Sequence, residues 1–469
     1  MLLASCGRTV TVTEMEIVPE PVFMLKKEGT FTLNRSVAVA TYGLGQNSPT
    51  AKYIMNSLRH AHMRPSLVSR SEESDIELII NDTVNPELGA EGYLLEVRPS
   101  GIRLSANSEA GLFYAYQTFI QILPADALDH TYRSIVLPEC TILDYPRFEW
   151  RGVFLDLRRQ DFSVKSIKKI LDLMATYKMN RLYWMPSDTA TTDSTLLSDS
   201  IAEEEDEGAD IRYSDEEIAD VTAYAKSLGI IVMPDDTTLV EWDTATAAPT
   251  LPLSTIAACT SQQVGLLAAR AGNKVVMCPN EYCRMDYYQA DRRYQPLAAS
   301  GLITLAKAYQ FDPAPQGTNK YIEENIIGGQ LSLWTEFITS PSQAEYMLLP
   351  RLLAISESLW TPRGSKSWSR FRKKVEMQKE RLASKGYNYC EGSFTPLFRA
   401  TRINENTTNI AIETEVPSTY IFYTTDGSTP SRQSQVYIGP INLKRGTHIK
   451  ILPVYKDHER DSVYEFIIK

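Results

Sequence analysis

From residue 147 to residue 390 the chain repeats one pattern, a short apolar run followed by an amphipathic stretch, and this alternation restricts the possible folds more than any other feature. Apolar runs of about 4–8 residues bounded by polar turns read as strands buried on both faces. The stretches between them read as crossover helices, so the repeat predicts a parallel sheet wrapped by helices. The runs fall at residues 153–157, 180–184, 229–234, 255–259, 274–278 and 326–334, with a weaker one at 308–311 that belongs to a connecting segment. Ser163 reads as the cap of the helix after the first run, and Ser214-Asp-Glu-Glu217 as a capping box opening a helix that reaches Lys226. The acidic run Glu203-Glu-Glu-Asp-Glu207 reads as a solvated loop.

The repeat has a gap. A βαβ unit takes about 30 residues, and the stretch between Pro234 and Ser254 is too short for the two units that should lie there. The fourth and fifth units of an eight-unit barrel have no room, so residues 147–390 are expected to form a shortened β/α barrel, an incomplete (β/α)8 (TIM-like) architecture. Residues 8–146 alternate short strand-like runs with helical patterns. The stretch from Gly111 carries apolar residues at helical spacing and is expected to cover a small antiparallel sheet, giving an accessory α+β domain. Residues 391–469 turn to alternating strands broken by Asp426-Gly427, which reads as a C-terminal β-sandwich. The fold class is therefore α/β, with the barrel flanked by these two domains.

Composition excludes several kinds of chemistry. A formal net charge of -10 argues against a nucleic-acid partner, since phosphate binding needs clustered Lys and Arg. The 6 cysteines lack a CxxC pair or a dense framework, so a large core and not disulfides should hold the fold. All 5 histidines (His60, His62, His130, His448 and His458) lie outside residues 131–447, which removes a Ser-His-Asp triad or a His-ligated zinc from the barrel. No metal and no cofactor is expected, and acid/base work falls to carboxylates.

Ile326-Ile-Gly-Gly-Gln-Leu-Ser-Leu-Trp334-Thr-Glu336 reads as a buried strand delivering an aromatic wall and a carboxylate to its C-terminal end, as a barrel enzyme needs for gripping a sugar. Upstream stand Trp150-Arg151-Gly152-Val-Phe-Leu-Asp156-Leu-Arg-Arg159 and Met179-Asn180-Arg181-Leu-Tyr-Trp184. Downstream stands Tyr346-Met-Leu-Leu-Pro-Arg351-Leu-Leu-Ala-Ile-Ser-Glu357-Ser-Leu-Trp360. In this order the segments resemble the glycoside hydrolase family 20 β-N-acetylhexosaminidases, over nearly the whole chain. The C-terminal Tyr423-Thr-Thr-Asp-Gly427 is similar to the chitobiase/hexosaminidase C-terminal domain.

The resemblance implies substrate-assisted chemistry, in which the sugar's 2-acetamido oxygen attacks its own anomeric carbon. An adjacent Asp-Glu pair at the end of the fourth barrel strand orients the acetamido group and protonates the leaving oxygen. That pair has no counterpart here. By correspondence Arg151 would hold sugar hydroxyls, Asp286 and Glu336 would accept hydrogen bonds from hydroxyls far from the scissile bond, and Trp334 would wall the pocket. Departures cluster at the acetamido end. The family's His-Leu-His-Leu-Thr-Asp-Asp stands as Tyr183-Trp-Met-Pro-Ser-Asp-Thr189, its Pro-Glu-x-Asp as Pro234-Asp235-Asp236-Thr237, and a pocket tyrosine as Arg284. Asp235, Asp236 and Glu241 are the carboxylates able to substitute for the pair.

Three readings stay open: an active exo-β-N-acetylhexosaminidase using substitute carboxylates, a relative that recognises terminal N-acetylhexosamine of glycans with hydrolysis lost or strongly reduced, and a chain that folds poorly because of its gap. The second fits the missing pair best. The start, Leu3-Ala4-Ser5-Cys6, resembles a lipobox, so a lipid anchor at Cys6 in a bacterial cell envelope, periplasm or outer membrane, is expected as the sole membrane contact.

Overall fold

The Glu217 amide donates to Ser214 Oγ at 3.2 Å while the Ser214 amide donates to the Glu217 carboxylate at 3.0 Å, closing the expected capping box ahead of helix Asp215–Ser227. Ser163 Oγ likewise accepts from Ser166 N at 3.2 Å ahead of helix Val164–Thr176. Both belong to a computed structural model that describes residues 8–45, 47–69, 73–127, 131–157, 160, 162–185, 213–233, 239–242, 255–416, 419–455 and 462–468. Cys6, the acidic run 203–207, Asp235 and Asp236 lie outside the described residues, as do Arg158 and Arg159.

The chain divides into two units, Met1–Asp286 with Ala308–Tyr389, and Tyr287–Lys307 with Cys390–Lys469. The first unit opens with β1 (Thr9–Thr11), β2 (Phe23–Asn34), β3 (Ser36–Tyr42), β4 (Arg64–Leu67), β5 (Ile76–Ile80), β6 (Tyr93–Arg98), β7 (Gly101–Ala106) and β8 (Ser134–Asp144). Seven of these run in the order β1-β8-β6-β7-β5-β3-β4, and β2 also pairs with β8. The expectation of an antiparallel sheet is corrected. β1 with β8, β3 with β4 and β5, and β5 with β7 are parallel, so the sheet is mixed. Helix Pro49–His60 returns the chain between the parallel neighbours β3 and β4, as parallel pairing requires, and helix Glu109–Ile122 carries it from β7 to β8 on the far side of β6. The second is apolar all round, from Leu112 to Tyr116, because it is buried on every side. Its Tyr114 ring meets Trp360 edge-on at 5.1 Å.

Seven further strands build a second, wholly parallel sheet: β9 (Trp150–Asp156), β10 (Arg181–Met185), β11 (Ile231–Met233), β12 (Leu239–Trp242), β13 (Ile256–Cys259), β14 (Lys274–Met277) and, after two strands of the other unit, β17 (Ile326–Trp334). Their order is β11-β10-β9-β17-β14-β13-β12. Every residue of β9 is buried, as expected of a strand covered on both faces. Gly328 in β17 (φ +155°) has to be glycine, since a Cβ there would stand 1.9 Å from Trp150 O.

This order corrects the expected gap. From β9 the strands run in chain order through β10 to β11 on one side, and in reverse order through β17, β14 and β13 to β12 on the other. Set against an eight-stranded ring, the strands among the described residues leave one position unfilled, the fourth in chain order, between β11 and β12. Only residues 234–238 separate those two strands in sequence, and no ladder joins them among the described residues. β12, which was not anticipated, supplies the strand next to β13. The weak run at 308–311 lies in a connecting segment, as expected, its first residues closing helix Leu305–Tyr309.

The second unit contains β15 (Tyr287–Tyr288), β16 (Ala299–Leu302), β18 (Leu397–Asn404), β19 (Thr407–Glu413), β20 (Thr419–Thr424), β21 (Gln435–Val436), β22 (Ile441–Lys444), β23 (His448–Tyr455) and β24 (Tyr464–Ile467). Sheets β18-β19-β22 and β21-β20-β23-β24 bury Ile410, Ile412, Ile421, Leu443, Ile449 and Ile451 between them, forming a β-sandwich. Residues 287–307 pack onto it: the Arg293 guanidinium lies 4.9 Å from the Phe398 ring centre and 4.7 Å from that of Phe466, and Nη1 donates to Glu465 O at 2.9 Å.

Candidate ligand site at the C-terminal ends of the parallel strands

In a parallel β/α sheet, ligands bind where the strands end. β9 ends at Asp156 and β17 at Trp334, which are in register. Thr335 Oγ1 donates to Asp156 O at 2.7 Å and fixes the chain just past the strand. Alternate residues share a face, so Phe154, Tyr183 and Trp334 meet on one side of the sheet. Phe154 stacks on Tyr183 with centroids 5.3 Å apart and tilts against Trp334 at 4.7 Å. Trp334 remains partly exposed, as an aromatic wall requires.

Beyond β14 the chain bends back toward β17. Met285 N donates to Ser332 O at 2.7 Å, and Arg284 forms a bridge with Ser332. That contact brings the segment Arg284–Asp286 to the same strand ends. Arg284 Nε donates to both Asp286 oxygens, at 3.0 and 3.1 Å. The Asp286 side chain is 1% exposed. Burial raises its pKa against the opposing pull of Arg284 and, more weakly, Arg351. Arg351, fully buried, donates from Nη2 to Met285 O at 2.7 Å and Met347 O at 2.6 Å, so it anchors the segment from behind. Glu336, two residues past Trp334, is exposed and has no hydrogen-bond partner among the described residues.

Asp286, Trp334 and Glu336 thus gather at one end of the sheet, but Arg151 does not. It is the second residue of β9, roughly 16 Å from Asp156 at about 3.3 Å per residue. Its side chain is 0% exposed. Nε donates to Lys178 O, Nη1 to Glu91 Oε2 and Phe148 O, and Nη2 to Glu91 Oε1 and Tyr114 Oη, all within 3.1 Å. Five N–H groups meet five oxygens, which is all that a guanidinium can offer. Arg151 is a structural cation between the two sheets, not a sugar ligand. Burial would raise the Glu91 carboxyl, but Arg151 and Asn180 outweigh it and hold it below its ordinary value.

Glu241 lies in β12, in register with Ala258, and not in the loop expected there. Sequence reasoning missed Phe154, Tyr183 and Arg351 as parts of the site. The alternation Phe154, Asp156 on a strand was the available signal for the first of these. Glu91 had no local signal as partner to Arg151.

The model of "Glycosyl hydrolase family 20, catalytic domain" matches residues 148–237 and 235–363, and that of "Glycosyl hydrolase family 20, domain 2" matches residues 14–145. The chain belongs to glycosyl hydrolase family 20. A third model, "Fn3 associated", matches residues 410–468. Family 20 relatives include a beta-hexosaminidase of Porphyromonas gingivalis, 22% identical over 94% of this chain and 73% of that protein. Beta-hexosaminidase subunit A2 of Dictyostelium discoideum is 32% identical over 36% of this chain and 31% of its own length. Among solved structures, the Streptomyces plicatus N-acetyl-beta-hexosaminidase in complex with Thio-NAglucal superposes with a TM-score of 0.66 at 19% identity, covering 82% of this chain and 98% of that one. The Vibrio harveyi GH20 exo beta-N-acetylglucosaminidase in complex with N-acetylglucosamine gives 0.65 at 20%, covering 82% and 79%. The arrangement of barrel and N-terminal domain is thus the family 20 fold.

Proposed function

We infer that this family 20 protein binds terminal N-acetylhexosamine residues of glycans at the C-terminal ends of its parallel strands, with glycosidic hydrolysis lost or strongly reduced. One observation carries the reading: β11 and β12 are the two ends of the strand path, only residues 234–238 lie between them, and the fourth position is the one from which the resembled family delivers its Asp-Glu pair. Without that pair, orientation of the acetamido group and protonation of the leaving oxygen lose their groups together. Trp334 supplies an aromatic face for the sugar ring and Glu336 an exposed acceptor for its hydroxyls. The Vibrio harveyi relative's structure with N-acetylglucosamine supports that ligand class.

Isothermal calorimetry with N-acetylglucosamine, beside release of nitrophenol from its p-nitrophenyl β-glycoside, tests the reading. Binding without turnover is expected. Turnover at rates ordinary for hydrolases would instead favour substitute carboxylates, for which Glu241 is the candidate on a barrel strand; that activity should then fall in Glu241→Gln. The lipobox at Cys6 supports a lipid anchor in a bacterial envelope, and fatty-acid labelling that disappears in Cys6→Ala is the expected result.

A further inference from the structure

The segment that carries Asp286 shows solvent a cation. The Arg284 side chain is 27% exposed and that of Asp286 1%, so an approaching ligand meets the guanidinium before the carboxylate. Both Asp286 oxygens already accept from Arg284 Nε. A third group steadies the arrangement: Arg351 holds Met285 O from the buried side and adds positive charge behind Asp286. Arg284 bridges to Ser332, two residues before Trp334 on β17, a distance of roughly 7 Å along the strand. Cation and aromatic wall are therefore spaced on the scale of one sugar ring and its substituent.

We propose that Arg284 is a specificity-determining residue and that the site takes a hexosamine carrying a carboxylate. The ring packs on Trp334, the carboxylate meets Arg284, and Glu336 is left for neutral hydroxyls. A planar guanidinium suits a carboxylate because the two groups match in geometry and charge, and a charge-assisted contact exceeds what a neutral hydroxyl gains there. An anionic sugar also avoids dependence on Asp286, which is 1% exposed and already accepts from Arg284. This inference rests on the glycan-binding reading above.

Calorimetry on the full chain with three probes tests it: N-acetylglucosamine, N-acetylmuramic acid and the methyl ester of N-acetylmuramic acid, which keeps the acid's outline and removes its charge. The acid is expected to bind about 10-fold or more tighter than the ester at low salt, as one charge-assisted contact provides. The preference should shrink as salt rises, disappear in Arg284→Gln and persist in part in Arg284→Lys, with melting curves confirming that both variants fold. Equal binding of acid and ester by the unaltered protein overturns the proposal without recourse to any variant, and so does a preference that survives Arg284→Gln. If N-acetylglucosamine and the ester bind and the acid gains nothing, the anion preference falls alone. If none of the three binds, the glycan reading falls with it.

Discussion

Lys178 Nζ lies 2.8 Å from Asp144 Oδ2, and neither side chain has any exposed surface. The pair ties the last residue of β8 to the turn before β10. Asp144 also accepts from Val22 N, Tyr93 Oη and Trp360 Nε1, so it is the hub of a closed network. Burial pushes the Lys178 ammonium below its ordinary pKa and Asp144 opposes that fall. Removing one partner strands the other as a buried charge, which costs about 3–5 kcal/mol. Lys178→Met is expected to lose that much in urea unfolding, and Lys178→Met with Asp144→Asn to recover part of it. A loss under about 1 kcal/mol for the single variant would show that the pair does not hold these elements.

Arg151→Met should weaken the fold and not ligand binding. Its five donors serve only protein oxygens, and Glu91 would be left without its cation. The melting temperature is expected to drop by several degrees, since about 1 kcal/mol shifts a large domain by about 2–4 °C. Calorimetric affinity for N-acetylglucosamine, measured well below the transition, should stay within a factor of about two. Lost affinity at full foldedness would return Arg151 to the site.

Glu357 predicts how stability follows pH. Its side chain is fully buried, and it accepts from Tyr309 Oη at 3.1 Å and Glu20 N at 3.2 Å. Burial pushes its pKa from 4.5 up to about 7, with Lys374 pulling down and Glu20 pushing further up. The folded state holds this proton more tightly than the unfolded state, so the contribution is complete below pH 4.5 and is lost as pH rises through 7. Unfolding free energy should decline by on the order of 3 kcal/mol across that window from this group. Glu357→Gln should flatten the decline, and an unchanged slope in that variant would assign it elsewhere.

Trp334→Ala should separate binding from folding. The ring is partly exposed and touches Phe154, so its loss removes a ligand surface more than a core. Affinity for N-acetylglucosamine is expected to fall about 10-fold or more, as truncation of a central aromatic anchor does, while circular dichroism keeps its shape. Unchanged affinity would move the ligand off this end of the sheet.

How much of this the sequence disclosed depends on whether the decisive contacts were local. β9 was readable from the apolar core Val153-Phe-Leu155 and β17 from the alternation Leu331, Leu333 after Ile326-Ile327, and the caps at Ser163 and Ser214 because a cap is written within four residues. β12 was not. Leu239-Val-Glu-Trp242 is short and set among polar residues, and it is a strand because β13 lies beside it in register. Residues 308–311 belong to a connecting segment, as expected, and Leu305-Ala-Lys-Ala-Tyr309 there forms a short helix because it combines apolar side chains with strong helix formers. At the site, Asp286, Trp334 and Glu336 came from family likeness, while Arg151 was misassigned because its partner Glu91 stands 60 residues away.

The insertion Tyr287–Lys307 carries a consequence for inheritance. It leaves the parallel sheet after β14, joins the β-sandwich, and returns before β17, although β14 and β17 are neighbours in one sheet. No single cut in the gene divides this protein into its two units. Deleting the tail from Cys390 onward would strip Phe398 and Phe466 from Arg293 while leaving the orphaned insertion between two core strands. Recombination that exchanges C-terminal modules among relatives would have to replace this internal segment as well.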